Sequence, residues 1–328
     1  MNFKVKNQPN QTISGMKYNN NGQYILVVCP NPSVDIYAWV KNFETGESNR
    51  LQKEEHYPGG KGVHVAMAAA ELGEEVRLLG FWGGPTGNWI KSTCEKLFPT
   101  LKCLGPEVEG WSRSCYTFKS EGDFDDTELL GVGPAPSAKD VEEFYTIFDN
   151  YIKQAKCVCL SGSWPAGSPE DGYAQLIKKA NDYQKASFLD CTGKQFENAI
   201  KLRPHTIHLN RSEITSLMKM EDLKEATKLL ADQCAFAAVT DGAKGLYLTS
   251  KDRIIHASCT IEKDKVYSAV GSGDCLTAGL VVAYARGMEV EATAKLGVAS
   301  GAANCLRKDL GMLYRKDVED LFAKAIVS

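Results

Sequence analysis

The chain has 328 residues, 43% of them hydrophobic, which is enough for one large α/β domain or two modest ones around a substantial core. A formal net charge of −3 and a pI near 6.0, with no run of like charges, argue against a nucleic-acid partner. Eleven cysteines run from Cys29 to Cys305 without a CxxC pair and read as buried thiols of a reducing compartment. With no apolar run of bilayer length and no secretory apolar segment, the expectation is a soluble, cytoplasmic protein with no membrane partner.

Residues 1–22 are rich in Asn, Gln and Lys with little periodicity and read as a flexible tail, leaving 23–328 for the folded domain. Short β-rich runs then alternate with helix-compatible segments. YILVVCP precedes a helical pattern over 62–72 and VRLLGFWG one over 87–97; CVCLSGS, SFLDC, TIHLN and AFAAVTDG each repeat the arrangement. That alternation predicts an α/β fold, a mostly parallel central sheet with helices on both faces. Two segments interrupt it, about 35–58 and 111–130, the second a strand pair around EGDFDD; together they predict a small β-sheet lid over the sheet's C-terminal edge, where open α/β folds place ligands. Beyond Ser268 the pattern is helical over 275–286, 290–306 and 316–326. No internal repeat is present, so one domain with a lid is expected rather than two in tandem.

The most informative stretch is AVGSGDCLTAGL, 269–280. Glycines at 271 and 273 let backbone N–H groups converge, and the following helix adds its positive N-terminal end, which suits phosphate. A carboxylate there, Asp274, makes sense as a base that takes a proton from an attacking hydroxyl; the plainer alternative is a helix capped by Ser272 or Asp274. A second glycine cluster, YPGGKGVHVAMAAAEL, brings Gly59 and Gly60 to a helix start beside the point charge of Lys61, or is simply a turn from lid to helix. Asp35, in CPNPSVD, follows the first strand and can accept hydrogen bonds from a polyol, or can face solvent. Asn210 and Glu213, in HLNRSEI, share one face of a first helical turn, as oxygen ligands for Mg²⁺ held partly through water or as a capping box. Thr240 and Gly242, in AVTDGAKG, can border a nucleotide or form a hairpin turn. His205 and His208 lack partners at metal-ligand spacing and read as strand residues; Trp82, Trp89, Trp111 and Trp164 read first as packing residues, with Trp111 and Trp164 also candidates to wall a pocket.

Taken in chain order, NPSVD, GESNR, GGKGVHVA, SRSCYTF, TELLGVGP, SGSWPAG, LNRSE, TDGAKG and AVGSGDCLTAG resemble the PfkB/ribokinase family of sugar kinases, and within it the branch of 1-phosphofructokinase and tagatose-6-phosphate kinase. The resemblance spans nearly everything from Tyr24 onward. It implies a ribokinase-like fold with a β lid, ATP and Mg²⁺ as cofactors, and a phosphorylated ketohexose as acceptor, most naturally fructose 1-phosphate, with tagatose 6-phosphate and fructose 6-phosphate as neighbours. Asp274 would be the catalytic base, and the N–H groups of Gly271, Ser272 and Gly273 the anion hole. Asp35, Gly59 and Gly60 would hold sugar hydroxyls; Asn210 and Glu213 would organise Mg²⁺ and the ATP phosphates; Thr240, Gly242 and Asn304 would border the nucleotide.

Three cations in or beside the lid, Arg50, Lys61 and Arg113, would meet the sugar's own phosphate, arginine forks being suited to it. In related kinases the lid pairs with that of a second subunit, so a homodimer is expected, with Arg50 directed to the neighbour's site. One position departs from the branch: His64 stands where Asn is usual, on a side chain that would approach a sugar hydroxyl. An unphosphorylated sugar or nucleoside would leave the three cations without a common purpose. A non-catalytic sensor of nucleotide or sugar phosphate would have no use for a base facing phosphate.

Overall fold

The structure is a computed structural model that describes residues 22–328 except Asp123 and Leu310; Gly22 apart, the expected tail lies outside the described residues. Strand β1 (Tyr24–Val28) leads into β2 (Ser33–Trp39), β3 (Lys53–Gly59), helix α1 (Lys61–Glu71), β4 (Val76–Leu79), β5 (Trp82–Gly83), α2 (Gly84–Leu97), β6 (Leu101–Leu104), β7 (Glu107–Val108), β8 (Arg113–Lys119) and β9 (Thr127–Leu130). There follow α3 (Ala138–Ile152), β10 (Ala155–Ser161), α4 (Gly172–Asp182), β11 (Ser187–Asp190), α5 (Gly193–Ala199), β12 (Thr206–Asn210), α6 (Arg211–Met218), α7 (Leu223–Ala231), β13 (Phe236–Thr240), β14 (Leu246–Thr249) and β15 (Ile254–Ser258). Helices α8 (Ser272–Ala285), α9 (Val290–Cys305) and α10 (Arg315–Lys324) and the short β16 (Ile326–Val327) complete the chain.

The main sheet has ten strands in the order β16-β15-β14-β13-β12-β11-β10-β1-β4-β6. Strands β6 through β13 pair in parallel, and β14 to β16 extend the sheet antiparallel. β1, YILVV, is buried at every residue, as a strand covered on both faces must be. Its side chains alternate between two cores: Ile25 and Val27 pack with α1, α8 and α9, while Leu26 and Val28 pack with Phe144 and Phe148 of α3.

Chain order runs outward from β1 to β4 and β6, then returns to β10 at β1's other side and runs the opposite way. The reversal between β1 and β10 opens a crevice at the strands' C-terminal ends. Over it lies the lid, a four-stranded sheet ordered β3-β2-β8-β9. The pair expected around EGDFDD is β8 and β9, antiparallel with Phe118 opposite Thr127. Helix α8 is buried almost all round, which suits its apolar sequence and its place between sheet and α9. It starts at Ser272, so Asp274 lies within its first turn.

No helix among the described residues is long and apolar enough to cross a membrane, and none of the eleven cysteines is paired.

Candidate active site

A cleft of about 1130 Å³ opens under the lid. The residues that end five parallel strands reach it: Cys29 and Asn31 after β1, Gly162 after β10, Asp190 of β11, Asn210 of β12 and Thr240 of β13. The fold therefore converts strand order into one polar rim.

The floor is the 271–274 turn. Gly271 caps α8 with φ 82°, a left-handed conformation that glycine takes without steric cost, and its missing Cβ leaves room for Gly311, whose Cα would be 2.8 Å away. Of the three N–H groups expected as an anion hole, that of Ser272 already donates to the Ala269 carbonyl at 3.1 Å, so the hole narrows to Gly271 and Gly273. Asp274 is buried and lines the cleft. Burial raises its carboxyl above the usual range, against the pull of His64 and Lys61.

Beside the turn, the Lys61 ammonium donates to Asp190 Oδ1 at 2.9 Å and lies 3.7 Å from Glu213 Oε1. Asp190, at the C-terminal end of β11, also meets His208 Nδ1 at 3.2 Å, and His208 Nε2 lies 3.3 Å from Thr240 Oγ1. Burial opposes Asp190's charge, but Lys61 and His208 outweigh it and hold the carboxyl well below the usual range; Asp190 in turn raises the Lys61 ammonium. Sequence reading missed Asp190 and His208. The available signal was positional, since SFLDC ends a parallel strand in a carboxylate exactly as CPNPSVD and HLN offer polar groups after theirs.

Asn210 and Glu213 form the capping box of α6: Asn210 Oδ1 accepts from Glu213 N at 2.9 Å, and Glu213 Oε2 accepts from Asn210 N at 2.8 Å. Both residues also line the cleft. Capping commits one oxygen of Glu213 and leaves Oε1 toward Lys61. Among the described residues no group of three or more His, Cys, Asp or Glu could hold a metal ion by itself. With Asn210 Oδ1 already accepting from Glu213 N and Ser212 Oγ, Glu213 Oε1 is the oxygen of this pair that suits a hydrated Mg²⁺. The guanidinium of Arg211 grips both oxygens of Asp241 and ties α6 to the turn after β13, where Gly242 also lines the cleft.

On the lid side, Asp35 Oδ1 accepts from Ser33 Oγ at 2.6 Å, and its carboxylate packs where a Cβ on Gly59 would stand. Gly59 thus supports Asp35 and does not line the cleft itself, whereas Gly60 does. His64 is buried between two acids: Nδ1 lies 2.8 Å from Asp274 Oδ2, and Nε2 lies 3.3 Å from Asp35 Oδ2, an ion-pair contact off the hydrogen-bonding angle. Burial alone would lower the imidazole's pKa, but the two carboxylates push it up to about 10. Arg113 donates to the carbonyls of Asn31 at 3.2 Å and Gly131 at 3.4 Å and lines the cleft.

Two expected residues stand elsewhere. Arg50 is exposed on the loop between β2 and β3, outside this chain's cleft. Asn304 is buried behind the turn, its Nδ2 donating to the Met312 carbonyl at 2.9 Å, and does not line the cleft. Trp164 both lines the cleft and packs against Phe81, Phe144 and Tyr173; Trp82 is core, and Trp111 is exposed.

The α/β fold with a smaller sheet over the cleft is ribokinase-like, and the family match makes this protein a phosphotransferase of the sugar-kinase class. The chain belongs to the pfkB family of carbohydrate kinases, whose family model, "pfkB family carbohydrate kinase", matches residues 27–313. It is 29% identical over 293 residues to the 1-phosphofructokinase of Bacillus subtilis (strain 168), covering 88% of this chain and 94% of that protein. The structure of Escherichia coli phosphofructokinase-2 in complex with substrates and products superposes with a TM-score of 0.83 at 21% identity, covering 92% of this chain and 98% of that one. Arabidopsis thaliana ribokinase complexed with ribose and ATP gives a TM-score of 0.72 at 19% identity, with 92% and 99% covered. Kinases of this family use ATP, and Mg²⁺ is typical of them.

Proposed function

We propose that this kinase transfers the terminal phosphoryl group of ATP to a hydroxyl of a phosphorylated ketohexose, most specifically converting fructose 1-phosphate to fructose 1,6-bisphosphate. The observation that carries the reading is the placement of Asp274, a buried carboxylate in the first turn of α8, directly after the left-handed Gly271 and on the cleft floor. Asp274 accepts the hydroxyl proton as the hydroxyl oxygen bonds to the γ-phosphorus, the bond from that phosphorus to the β,γ-bridging oxygen breaks, and ADP leaves. The N–H groups of Gly271 and Gly273, with the N-terminal end of α8, stabilise charge on the transferring group. When bound, Mg²⁺ would offset the nucleotide's phosphate charge, with Glu213, capped by Asn210, holding it through water. Lys61, which the sequence set beside the sugar's phosphate, is tied to Asp190 and Glu213, and in this reading its ammonium meets the nucleotide's phosphate charge instead, while Thr240 and Gly242 border the nucleotide.

Arg113 supplies the fork for the sugar's existing phosphate, and Asp35 accepts from a sugar hydroxyl. The 29% identity to a 1-phosphofructokinase supports fructose 1-phosphate among the ketohexose phosphates. Strand β9, at the lid's edge, exposes Leu129 and Leu130, with Val132 exposed just beyond; a second copy covering this edge gives a homodimer, which would carry Arg50 toward the neighbouring cleft. The test is ADP release with Mg·ATP against fructose 1-phosphate, tagatose 6-phosphate, fructose 6-phosphate, and free sugars and nucleosides. Preference for fructose 1-phosphate supports the reading; preference for an unphosphorylated acceptor, or no turnover at all, overturns it.

A further inference from the structure

The acceptor side holds an arrangement that the reaction proposed above does not require. His64 sits on α1 in the body of the protein, yet one ring nitrogen meets the first turn of α8 through Asp274 and the other meets the lid through Asp35 on β2. Room for the ring depends on Gly311: a Cβ there would lie 2.1 Å from His64 Cδ2 and 2.2 Å from Cγ. Gly311 in turn abuts Gly271, so the ring is packed against the same segment that backs the phosphate turn. His64 Nδ1 hydrogen-bonds Asp274, while Nε2 lies 3.3 Å from the Asp35 carboxylate off the donating angle, the arrangement of a charge pair; a neutral ring would set an uncharged nitrogen against that carboxylate, whereas an imidazolium completes the pair.

We propose that His64 is a positioning residue, cationic at neutral pH, which ties the lid carboxylate Asp35 to the base Asp274 and thereby fixes the Asp274 oxygen that meets the acceptor hydroxyl. The inference rests on Asp274 being the base. With Oδ2 engaged by the imidazolium, Oδ1 is left to take the proton. The same strut makes the lid's place over the cleft and the orientation of the base a single structural event.

The charges around the ring favour this state. Asp35 on β2, Glu128 on β9 and Asp274 on α8 face it with negative charge, and Asp190 on β11 adds to the field felt by Asp274. Lys61 on the same helix and Arg113 on β8 oppose them, while the nearby Cys29 thiol is pushed up to about 11, chiefly by burial, and stays neutral. An asparagine at 64 can place a donor where Nδ1 stands, and a glutamine where Nε2 stands; neither carries charge or spans both acids.

The test is ¹⁵N NMR of the full chain with labelled histidine, the His64 signals being assigned by their loss in His64→Asn. Both ring nitrogens are expected to stay protonated well above neutral pH, and Asp35→Asn or Asp274→Asn should each bring the titration down toward the ~6.5 of a free histidine. Titration near that value in the unmutated protein overturns the proposal whatever the kinase activity. An imidazolium in place while Asp274→Asn keeps full activity would instead overturn the assignment of the base.

In kinetics, His64→Asn and His64→Gln should each lower kcat by ~10-fold or more with little change in the KM for ATP, as expected for loss of a charge-assisted contact; unchanged kcat in both overturns the positioning role. Gly311→Ala tests the packing. Its backbone strain at φ 62° is common to the His64 and His64→Asn backgrounds and cancels, so the clash with the ring should make the loss of Tm larger with His64 present. Equal losses would contradict the enclosed ring.

Discussion

The two walls of the cleft are built differently. The wall around α8, β11, β12 and β13 consists of strand ends and a helix start anchored in buried elements, with Asp190, His208 and Asp274 all buried. The lid wall is a ribbon whose strands β3 and β9 are mostly exposed; Val34 and Ile36 of β2 pack into the body's core, and the polar links from lid to body are Asp35 to His64 and Arg113 to the Asn31 carbonyl. A wall whose functional side chains are buried keeps its geometry under substitution at the surface, whereas a wall with exposed strands and two polar links to the body can be retuned by one side chain. The proposed function assigns phosphoryl transfer to the first wall and the choice of acceptor to the second, and each assignment can be broken separately.

The sharpest way to break this division is Asp274→Asn. It should lower kcat by ~10²- to 10⁴-fold, the usual worth of a general base, while equilibrium binding of ATP measured by calorimetry stays close to that of the unmutated protein. Near-normal kcat would remove the base from the transfer wall. On the opposite wall, Arg113→Ala should raise the KM for a sugar phosphate by ~10- to 100-fold, as for a lost hydrogen bond to a charged group, with a much smaller effect on ATP. Equal losses for both ligands would erase the distinction between the walls.

Lys61→Met probes how firmly the transfer wall is held. It strips one partner from the buried Asp190, leaves His208, and should lower unfolding free energy by ~2 kcal/mol in chemical denaturation, less than full loss of a buried pair because the Lys61 side chain is 42% exposed. No change in the denaturation midpoint would mean that Asp190 does not need the ammonium.

His64 links the walls, and its folded pKa of about 10 lies above the ordinary 6.5, so its stabilising contribution is full below pH 6.5 and is lost as pH rises through about 10. Denaturation midpoints of the unmutated protein should fall across that window more than those of His64→Asn; parallel curves would count against the charge. The smallest effect concerns the lid's outer edge, where Leu129→Asp should shift sedimentation toward a single chain with the fold intact.

The alternation of apolar runs and helical patterns made the sheet legible, because strands covered on both faces must be apolar throughout, as YILVV is. The lid was legible as a break in that alternation. Asp274 and its glycines stood out because they are neighbours in sequence, and Asn210 with Glu213 because helix spacing puts them on one face. Asp190 and His208 did not stand out: SFLDC marks a carboxylate at a strand end, but that it meets His208, and His208 Thr240, comes from the order in which β11, β12 and β13 lie side by side. The clamp on His64 was hidden for the same reason, since its two acids lie at positions 35 and 274 and the space for its ring is left by Gly311. The sequence marked position 64 as unusual and set its side chain beside the sugar; the ring lines the cleft and lies between Asp35 and Asp274 as well.

The products of one reaction test phosphoryl transfer to the sugar phosphate most directly. With fructose 1-phosphate, Mg·ATP and the purified protein, ³¹P NMR should record ADP and a ketohexose bisphosphate appearing in equal amounts, and neither with Asp274→Asn over the same time. ATP breakdown to inorganic phosphate without a new phosphosugar, or equal bisphosphate formation by the variant, would contradict it.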